Sequence, residues 1–514
     1  MTLSFSHPFA KLPTYDAASG GAGAFGDLPE WDLSDLYTAP DAPELKADMA
    51  FVERECAAFA ADYEGKLADL DAAGMAKCIA RYEAIETAAG RIMSYAGLRY
   101  YQNTVDGEIA KFMADAQDKI TNFTTPLVFF SLEFNRIPDA QYEAVFADAA
   151  VARYKPVFDR MRAMRPHQLS DELEKFLHDQ STVGAAAWNR LFDETTAAME
   201  FEVDGETKNL ESTLDMLSDH DRSKREMGAR AVAEGLQKQV KLFARVHNTL
   251  AKEKAIEDKW RKMPSPQMGR HLSNHVEPEV VEALRNAVVA AYPRLSHRYY
   301  ALKAKWLGLD KMQVWDRNAP LPTEAPRVID WAEAERTVME AYAGFSPQMA
   351  AIAEPFFKKG WIDAGTKPGK APGAFAHPTV TTVHPYVMLN YLGKPRDVMT
   401  LAHELGHGVH QVLAADQGEM LSSTPLTLAE TASVFGEMLT FRALLEKAKT
   451  PAERKTLLAG KVEDMINTVV RQIAFYDFEC KLHAARAEGE LTPEAINALW
   501  MSVQGESLGP VFEF

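Results

Sequence analysis

The stretch LAHELGHGVH, residues 401–410, places three histidines and one glutamate within eight positions. His403 and His407 are four residues apart, so on a helix their imidazoles lie one above the other, about one turn apart. That spacing lets both rings reach one ion at Zn–N distances of about 2.0–2.1 Å. Glu404 projects about 100° away from His403, where it can reach a water on the ion without taking a ligand position. The stretch therefore predicts an H-E-x-x-H metal site.

The surrounding segment RDVMTLAHELGHGVHQVLAA, residues 396–415, predicts a single amphipathic helix. Its apolar residues recur at helical spacing and form one stripe, while the histidines fall on the opposite face. Asp397 is expected to be the N-cap of this helix. His410 is predicted to be a polar neighbour of the site, not a ligand.

An ordinary solvated helix face with unremarkable histidines is the alternative interpretation of the same residues. Two glycines, Gly406 and Gly408, argue against it, because each lies inside the predicted helix and costs about 1 kcal/mol relative to Ala. Such a cost leads us to expect that another element approaches the helix closely at these positions.

A catalytic zinc site takes three protein ligands and one water, so a third ligand is needed. The segment STPLTLAETASVFGEMLTFRALLEKAK, residues 423–449, predicts a helix that folds back antiparallel after a short loop. Glu430, near its start, is the predicted third ligand. Glu437 is two turns further along on the same face, and we predict that it orients a ligand histidine.

Each of these glutamates also has a plainer interpretation. Thr427 and Glu430 fit a capping box, in which the glutamate would satisfy a backbone N–H. Asp416 and Glu419, in the connecting loop, are rival candidates for the third ligand. Glu437 also fits an ordinary surface position.

The bulk properties limit the classes of partner. The chain has 514 residues and a net charge of −17, a surface that repels phosphate backbones, so we expect no nucleic-acid partner. No apolar stretch approaches membrane-spanning length, and the N-terminus lacks the pattern of a secretory signal. Three cysteines without metal or redox spacing favour a reducing compartment. We expect a cytoplasmic protein without membrane contact; the sequence predicts no oligomeric state.

Periodicity divides the chain into three parts. Residues 1–28, rich in Gly, Ala and Ser, are expected to be a flexible tail. Residues 29–200 are expected to form an N-terminal helical lobe, and residues 201–514 a second domain. The boundary is marked by a predicted hairpin in MEFEVDGETKNL, residues 199–210. GAFAHPTVTTVHPYVMLNY, residues 373–391, gives the clearest strand signal, so we expect a mainly α protein with a small β-sheet next to the histidine-bearing helix.

Several longer segments resemble oligoendopeptidase F, a branch of the thimet oligopeptidase family of gluzincin zinc metallopeptidases. They are WDLSDLY, YYALKAKWLGLDK, WIDAGTKPGKAPGAF, HPYVMLNYLGKPRDVMTLAHELGHGVHQ, LAETASVFGEML and RQIAFYDFECKLH. The resemblance covers most of the chain from Trp31 onward. It implies a two-lobed helical zincin with a deep substrate channel, in which residues 201–514 are the catalytic domain.

The resemblance also implies an activity and a set of site residues. His403, His407 and Glu430 match the family's ligands to one Zn²⁺ per chain, and Glu404 matches its general base. A strand beside the site pairs with the substrate backbone, and we assign substrate binding to the matching positions, Gly373, Ala374, Phe375 and Tyr386. The expected activity is zinc-dependent hydrolysis of internal bonds in short oligopeptides.

Family members continue for several tens of residues past the position that matches Phe514. That segment carries a histidine and tyrosines implied to stabilise the oxyanion, and one such donor is worth about 10²–10³ in rate. We therefore expect the catalytic domain to be C-terminally incomplete relative to the family. The alternative function is a catalytically impaired protein or fragment that retains zinc and binds peptides.

Overall fold

The structure, a computed structural model, describes residues 25–514 except 105, 181–182, 198, 209, 323–327, 368 and 372. The described residues are mainly helical, which confirms the predicted fold class. The helices of the N-terminal half are α1 (Pro43–Tyr63), α2 (Ala72–Gln102), α3 (Gly107–Thr124), α4 (Val128–Arg136), α5 (Asp139–Phe146), α6 (Lys155–Arg162), α7 (Asp171–Gln180), α8 (Ala185–Ala197), α9 (Leu210–Asp215), α10 (Arg222–Lys238) and α11 (Val240–Arg261).

The remaining helices follow in the C-terminal half, and the strands are short. These helices are α12 (Met268–Ser273), α13 (Pro278–Ala291), α14 (Ser296–Leu307), α15 (Trp331–Phe345), α16 (Pro347–Lys358), α17 (Pro395–Ala415), α18 (Leu426–Lys447), α19 (Pro451–Glu488) and α20 (Pro493–Leu508). The strands are β1 (Phe201–Val203), β2 (Glu206–Lys208), β3 (Ile362–Asp363), β4 (Phe375–His377) and β5 (Tyr386–Met388).

The described residues fall into two compact units, each built from two separate stretches of chain. The first consists of the described residues of 25–178 and 328–446, and the second of those of 179–322 and 447–514. These units divide the chain at other residues than the predicted lobe and catalytic domain, and they do not test that division. The predicted domain boundaries at residues 28 and 200 therefore stay predictions.

Two hydrophobic clusters build the first unit. One is formed by the N-terminal helices and is rich in stacked aromatic side chains, such as Tyr82 on Phe130 and Phe134 on Phe158. The other joins α15, α16 and α17 to the sheet strands. Most of the apolar stripe of α17 belongs to this second cluster, with Leu401 and Leu405 completely buried, whereas Leu413 at the end of the stripe is exposed. The stripe predicted from periodicity is therefore the face by which α17 attaches to the unit.

A three-stranded sheet in strand order β3–β5–β4 lies in this unit. β3 runs parallel to β5, with Ile362 opposite Val387, and β4 runs antiparallel to β5, with Phe375 opposite Met388. The strand signal over residues 373–391 is thus confirmed as two short strands, β4 and β5. Sequence periodicity missed β3, because two residues show no alternation.

The second unit contains the predicted hairpin. β1 and β2 pair antiparallel, and the turn between them places Asp204 and Gly205 at φ values of 52° and 79°. Two successive positive φ angles are typical of the type I′ turn that an Asp-Gly pair favours. The Phe201 ring packs so closely on α10 that a Cβ at Gly235 would lie 2.3 Å from it.

The first described residues belong to the segment predicted as the N-terminal tail. Residues 1–24 lie outside the described part of the chain, but residues 25–28 do not. Phe25 accepts a hydrogen bond from Trp331 N at 2.8 Å and packs on the Tyr391 ring. Phe25 thus packs against the hydrophobic cluster that contains α15, and the tail boundary at residue 28 stays a prediction. Among the described helices, none combines the length and the apolar character needed to span a bilayer.

Candidate metal centre

The helix α17 begins one turn earlier than the N-cap prediction requires. Its first residue is Pro395, and Lys394 is the N-cap. Asp397 is the third helical residue, and its Oδ2 accepts hydrogen bonds from Leu392 N at 2.9 Å and Lys394 N at 3.0 Å. The N-cap assignment of Asp397 is therefore wrong. Its carboxylate instead reaches back to backbone N–H groups that precede the helix, the part that a capping-box residue plays at this position.

Glycines set the distance between α17 and its neighbours. A Cβ at Gly406 would lie 2.6 Å from Ala432 O and 2.8 Å from Ser433 Cα, both backbone atoms of α18. A Cβ at Gly408 would lie 2.7 Å from the Phe356 ring. From the other side, a Cβ at Gly436 would lie 2.8 Å from Ala402 O. The close approach expected at Gly406 and Gly408 is confirmed, and α18 is the element that approaches at Gly406.

This helix crossing brings three potential ligands together. Glu430 Oε2 lies 3.2 Å from His403 Nε2 and 3.6 Å from His407 Nε2, and one donor atom of each residue lies within 4.8 Å of the others. Around a tetrahedral ion with bonds of about 2.0–2.1 Å, donor atoms are about 3.3–3.4 Å apart. The two measured separations bracket that value, so the residues present fit a zinc ion of the N₂O type.

The carboxylates around the histidines favour a cation at this point. Burial by itself lowers the pKa of His403, but hydrogen bonds with Glu430 and Glu437 outweigh it and raise that pKa to about 10. Hydrogen bonds from His403 and His407 hold the pKa of the Glu430 carboxyl well below its usual range. Because histidine ligands bind a metal in the neutral form, a divalent cation would take the place of the proton on His403.

Glu404 lies in a different environment from Glu430. Its side chain is buried, and burial raises the pKa of its carboxyl to about 7, although His403 and His407 act in the opposite direction. A carboxylate with a pKa near neutrality is suited to accept and return a proton. The prediction that Glu404 is a general base is therefore compatible with its surroundings and stays a prediction.

The alternatives for the third ligand differ in position. Glu430 is the fifth residue of α18, beyond the third position that a capping box requires. Glu419 accepts hydrogen bonds from Thr381 N and Oγ1 at 3.1 and 3.0 Å, away from the histidine group. Asp416 is the C-cap residue of α17. Of these, only Glu430 belongs to the potential metal-binding group found among the described residues.

Two further side chains of α18 contact this group. Glu437 Oε2 lies 3.3 Å from His403 Nδ1 with its side chain 16% exposed, which disfavours the surface interpretation and agrees with a histidine-orienting position. Ser433 Oγ donates to Glu430 Oε2 at 2.7 Å. Ser433 was not singled out from the sequence. The sequence feature that could have identified Ser433 is the helical spacing of residues 430, 433 and 437, which places all three on one face of α18.

The predicted substrate-binding residues lie along the edge of the sheet, with one exception. Gly373 has a φ of 84°, and its carbonyl accepts a hydrogen bond from Asn390 Nδ2 at 3.0 Å. Ala374 directly precedes β4, and Phe375 begins β4 with its ring packed on Tyr101.

Tyr386 is the exception. Its side chain is fully buried, packs edge-on against Trp31, and donates its hydroxyl to Asp32 O at 2.8 Å. Burial leaves this side chain no surface for direct contact with a substrate, and the assignment of Tyr386 to substrate binding stays a prediction. The aromatic ring of Tyr386 is part of the hydrophobic core.

β4 is an edge strand with one side turned away from β5. Within a strand, the N–H and C=O groups of one residue point to one side, and those of the next residue point to the opposite side. Val387 N donates to Trp361 O on the β3 side. The backbone groups of Tyr386 and Met388 therefore face β4, where they pair with His377 and Phe375. The N–H and C=O groups of Ala376, between these two, point to the open side. Its carbonyl accepts a hydrogen bond from Gln411 Nε2 of α17 at 3.1 Å.

Comparisons with protein families cover both halves of the sequence. Residues 215–512, more than half of the chain, match the family described as Peptidase family M3. Residues 133–201 match the family described as Oligopeptidase F.

Individual relatives agree with these matches. The chain is 24% identical to the oligoendopeptidase F homolog of Lactococcus lactis subsp. lactis over 91% of this chain and 79% of that protein. It is 25% identical to oligopeptidase PepF of Bacillus subtilis over 93% of this chain and 72% of that protein. The crystal structure of oligoendopeptidase-F from Enterococcus faecium shares the fold with a TM-score of 0.65 and 22% identity, over 91% of this chain and 79% of that one. The chain therefore belongs to peptidase family M3 and is a metallopeptidase of the oligoendopeptidase F type.

Proposed function

We propose that this metallopeptidase is a zinc-dependent endopeptidase that hydrolyses internal bonds of short oligopeptides. The observation that carries the proposal is the group His403, His407 and Glu430, whose donor atoms lie within 4.8 Å of one another. Two imidazoles and one carboxylate form a donor set that suits zinc. When bound, zinc would polarise the scissile carbonyl and lower the pKa of a water towards about 7.

Glu404 is the proposed general base. It follows His403 on α17 and is buried, with its pKa raised to about 7, so it can take a proton from the attacking water and pass it to the leaving amine. The bond that breaks is the peptide C–N bond, and the bond that forms joins the water oxygen to the carbonyl carbon. The proton count balances, because the base returns to its starting form after each turnover.

The open side of β4 is the proposed site of the substrate backbone. A peptide that adds to a sheet edge gains main-chain hydrogen bonds regardless of its side chains. Ala374 would supply backbone groups along this edge, and the other two predicted residues, Gly373 and Phe375, would flank it with their own backbone groups turned towards β5. The relatives named as oligopeptidases support short peptides as the substrate class.

The test is cleavage of an internally quenched peptide of about ten residues by the zinc-loaded chain, with and without a chelator. Cleavage between internal residues that stops on chelation and returns with added zinc is the expected result. Blocking the peptide's C-terminus distinguishes a carboxypeptidase, which would fail on the blocked peptide, from the proposed endopeptidase, which would still cut it.

Glu404→Gln is the matched variant for the mechanism. It keeps the size and hydrogen-bonding shape of the side chain but removes the base, so turnover should fall by about 10²–10⁴-fold while the zinc content stays at one per chain. Equal turnover in the variant would disprove the role of Glu404. Zinc and peptide binding by the unsubstituted chain, without any cleavage, would instead support the alternative of an impaired peptide-binding protein.

The predicted location and partners remain part of this proposal. The three cysteines are free, with Cys56 and Cys78 buried, which agrees with a reducing compartment such as the cytoplasm. The negative net charge of −17 supports the absence of a nucleic-acid partner.

A further inference from the structure

Glu430 differs from the other two proposed ligands in its exposure. Its side chain is 57% exposed, whereas those of His403 and His407 are 21% and 16% exposed. An exposed glutamate samples several rotamers, and fixing such a long side chain costs conformational entropy. A metal site that relies on this carboxylate therefore benefits from a group that holds it in place before the ion binds.

Ser433 is in the position to supply that restraint. Its Oγ lies 2.7 Å from Glu430 Oε2, the same oxygen that faces both histidines. A hydroxyl that donates to a carboxylate forms a short and comparatively strong hydrogen bond. Ser433 itself is fully buried, so water does not compete with Glu430 for its hydroxyl.

The position of Ser433 is fixed in turn by the helix crossing. Its Cα is one of the backbone atoms that make Gly406 necessary, since a Cβ on Gly406 would lie 2.8 Å from it. The backbone of α18 at Ser433 is thus held against the helix that carries the histidines. From this fixed position the Ser433 hydroxyl donates a hydrogen bond to the exposed carboxylate of Glu430, one turn earlier on α18.

We propose that Ser433 is a positioning residue for the metal site, which holds Glu430 Oε2 towards His403 and His407 and thereby raises the affinity for the ion. This inference rests on the proposed metal site. It concerns an outer hydroxyl, not a ligand, since Ser433 acts through Glu430.

An ordinary helical serine is the competing interpretation. Ser433 Oγ also lies 3.1 Å from Glu430 O, a contact of the kind that many serines make with the preceding turn. If this contact were its only role, loss of the hydroxyl would leave metal affinity unchanged.

The experiment compares Ser433→Ala with Thr440→Val. Thr440 is a matched control on the same helix, because it is also fully buried and its Oγ1 donates to Gly436 O at 3.1 Å, away from the ligands. Zinc affinity of the full chain is measured by competition with a chromophoric chelator. We expect a loss of roughly 10- to 100-fold for Ser433→Ala, the range usual for groups that orient a ligand, and less than a twofold change for Thr440→Val.

Cobalt substitution gives a second readout that does not depend on activity. The visible spectrum of bound Co²⁺ reports ligand geometry, so Ser433→Ala should change its bands and Thr440→Val should not. A double-mutant cycle provides a third readout. In a Glu430→Gln background, removal of the Ser433 hydroxyl should have less than a twofold effect on zinc affinity.

Each outcome separates the inference from the proposed function. If the unsubstituted chain binds no zinc, the proposed function itself fails. If it binds zinc tightly and Ser433→Ala behaves like Thr440→Val, the metal site stands and the positioning role of Ser433 is overturned. A loss of folded protein in Ser433→Ala, measured by circular dichroism, is resolved with Ser433→Thr, which retains the hydroxyl and should keep zinc affinity within a few-fold.

Discussion

The crossing of α17 and α18 and the sheet β3–β5–β4 lie in the same unit but are held together by different forces. At the crossing, Gly406 and Gly436 let two helix backbones approach closely, and α17 is anchored to the unit by the apolar residues on its other face. At the sheet, strands of two or three residues are too short to be stable alone. Buried polar groups hold them in place instead.

The ammonium of Lys370 is the centre of that polar network. It is 1% exposed and donates to Asp363 Oδ1 at 2.6 Å and to the carbonyls of Gly365 and Leu389 at 2.7 and 2.8 Å. Asp363, itself fully buried, also accepts from Gln102 Nε2 at 3.0 Å. The comparison indicates that the two histidines are placed relative to each other by regular helix geometry, whereas Glu430 and the sheet are placed by contacts between distant segments.

The largest expected effect comes from breaking the polar network with Lys370→Met. This variant removes the nearer and buried charged partner of the Asp363 carboxylate and leaves only Lys367, at 3.7 Å from Oδ2. Breaking a buried pair typically costs about 3–5 kcal/mol. In denaturant unfolding, the transition with the lowest midpoint should show this loss in the free energy of unfolding. Lys358→Met is the control, because it removes the exposed pair of Lys358 with Glu354, worth at most about 1 kcal/mol. Equal losses in both variants would show that the buried pair does not hold the sheet.

Gly406→Ala tests the helix crossing. The added methyl would meet backbone atoms of Ala432 and Ser433, and neither can move as a flexible side chain does. We expect a loss of about 1–3 kcal/mol in the free energy of unfolding from overpacking, together with weaker zinc binding because Glu430 is carried on the displaced helix.

The control for the crossing is Gly460→Ala in α19. Nothing lies within 4 Å of a Cβ at this position, so the better helix propensity of Ala should increase stability by up to about 1 kcal/mol. If Gly406→Ala also raised stability and kept zinc affinity, the close contact between α17 and α18 would have no role in the site.

The smallest effect is expected from Asn390→Ala and should appear in substrate binding. Asn390 Nδ2 donates to Ala371 O at 3.1 Å and Gly373 O at 3.0 Å, so its loss frees the segment before β4. Two hydrogen bonds at about 0.5–1.5 kcal/mol each predict a several-fold rise in KM, with kcat and zinc affinity little changed.

Asn248→Ala in the second unit is a matched control for this effect. Asn248 Nδ2 likewise donates to two carbonyls, Ala244 O and Leu491 O, both at 2.8 Å. Its substitution should lower stability without a selective rise in KM. A fall in kcat and zinc affinity for Asn390→Ala, with KM unchanged, would contradict the separation between the substrate edge and the metal group.

The sequence by itself determined the features that depend on local periodicity. The 3.6-residue repeat of α17 fixed its buried stripe and the shared face of His403 and His407, and the glycines signalled a close neighbour before that neighbour was known. The Asp-Gly turn between β1 and β2 was equally local. These predictions needed only the geometry of one element.

Tertiary structure decided everything that depends on which segments meet. Glu430, Asp416 and Glu419 were all candidates in the sequence, and the fold-back of α18 brought only Glu430 to the histidines. The hydroxyl of Ser433, the pairing of Lys370 with Asp363 and the burial of Tyr386 depend on the same long-range contacts. The physical reason is that helical spacing fixes neighbours within about one turn, while contacts between distant segments depend on how the whole core packs.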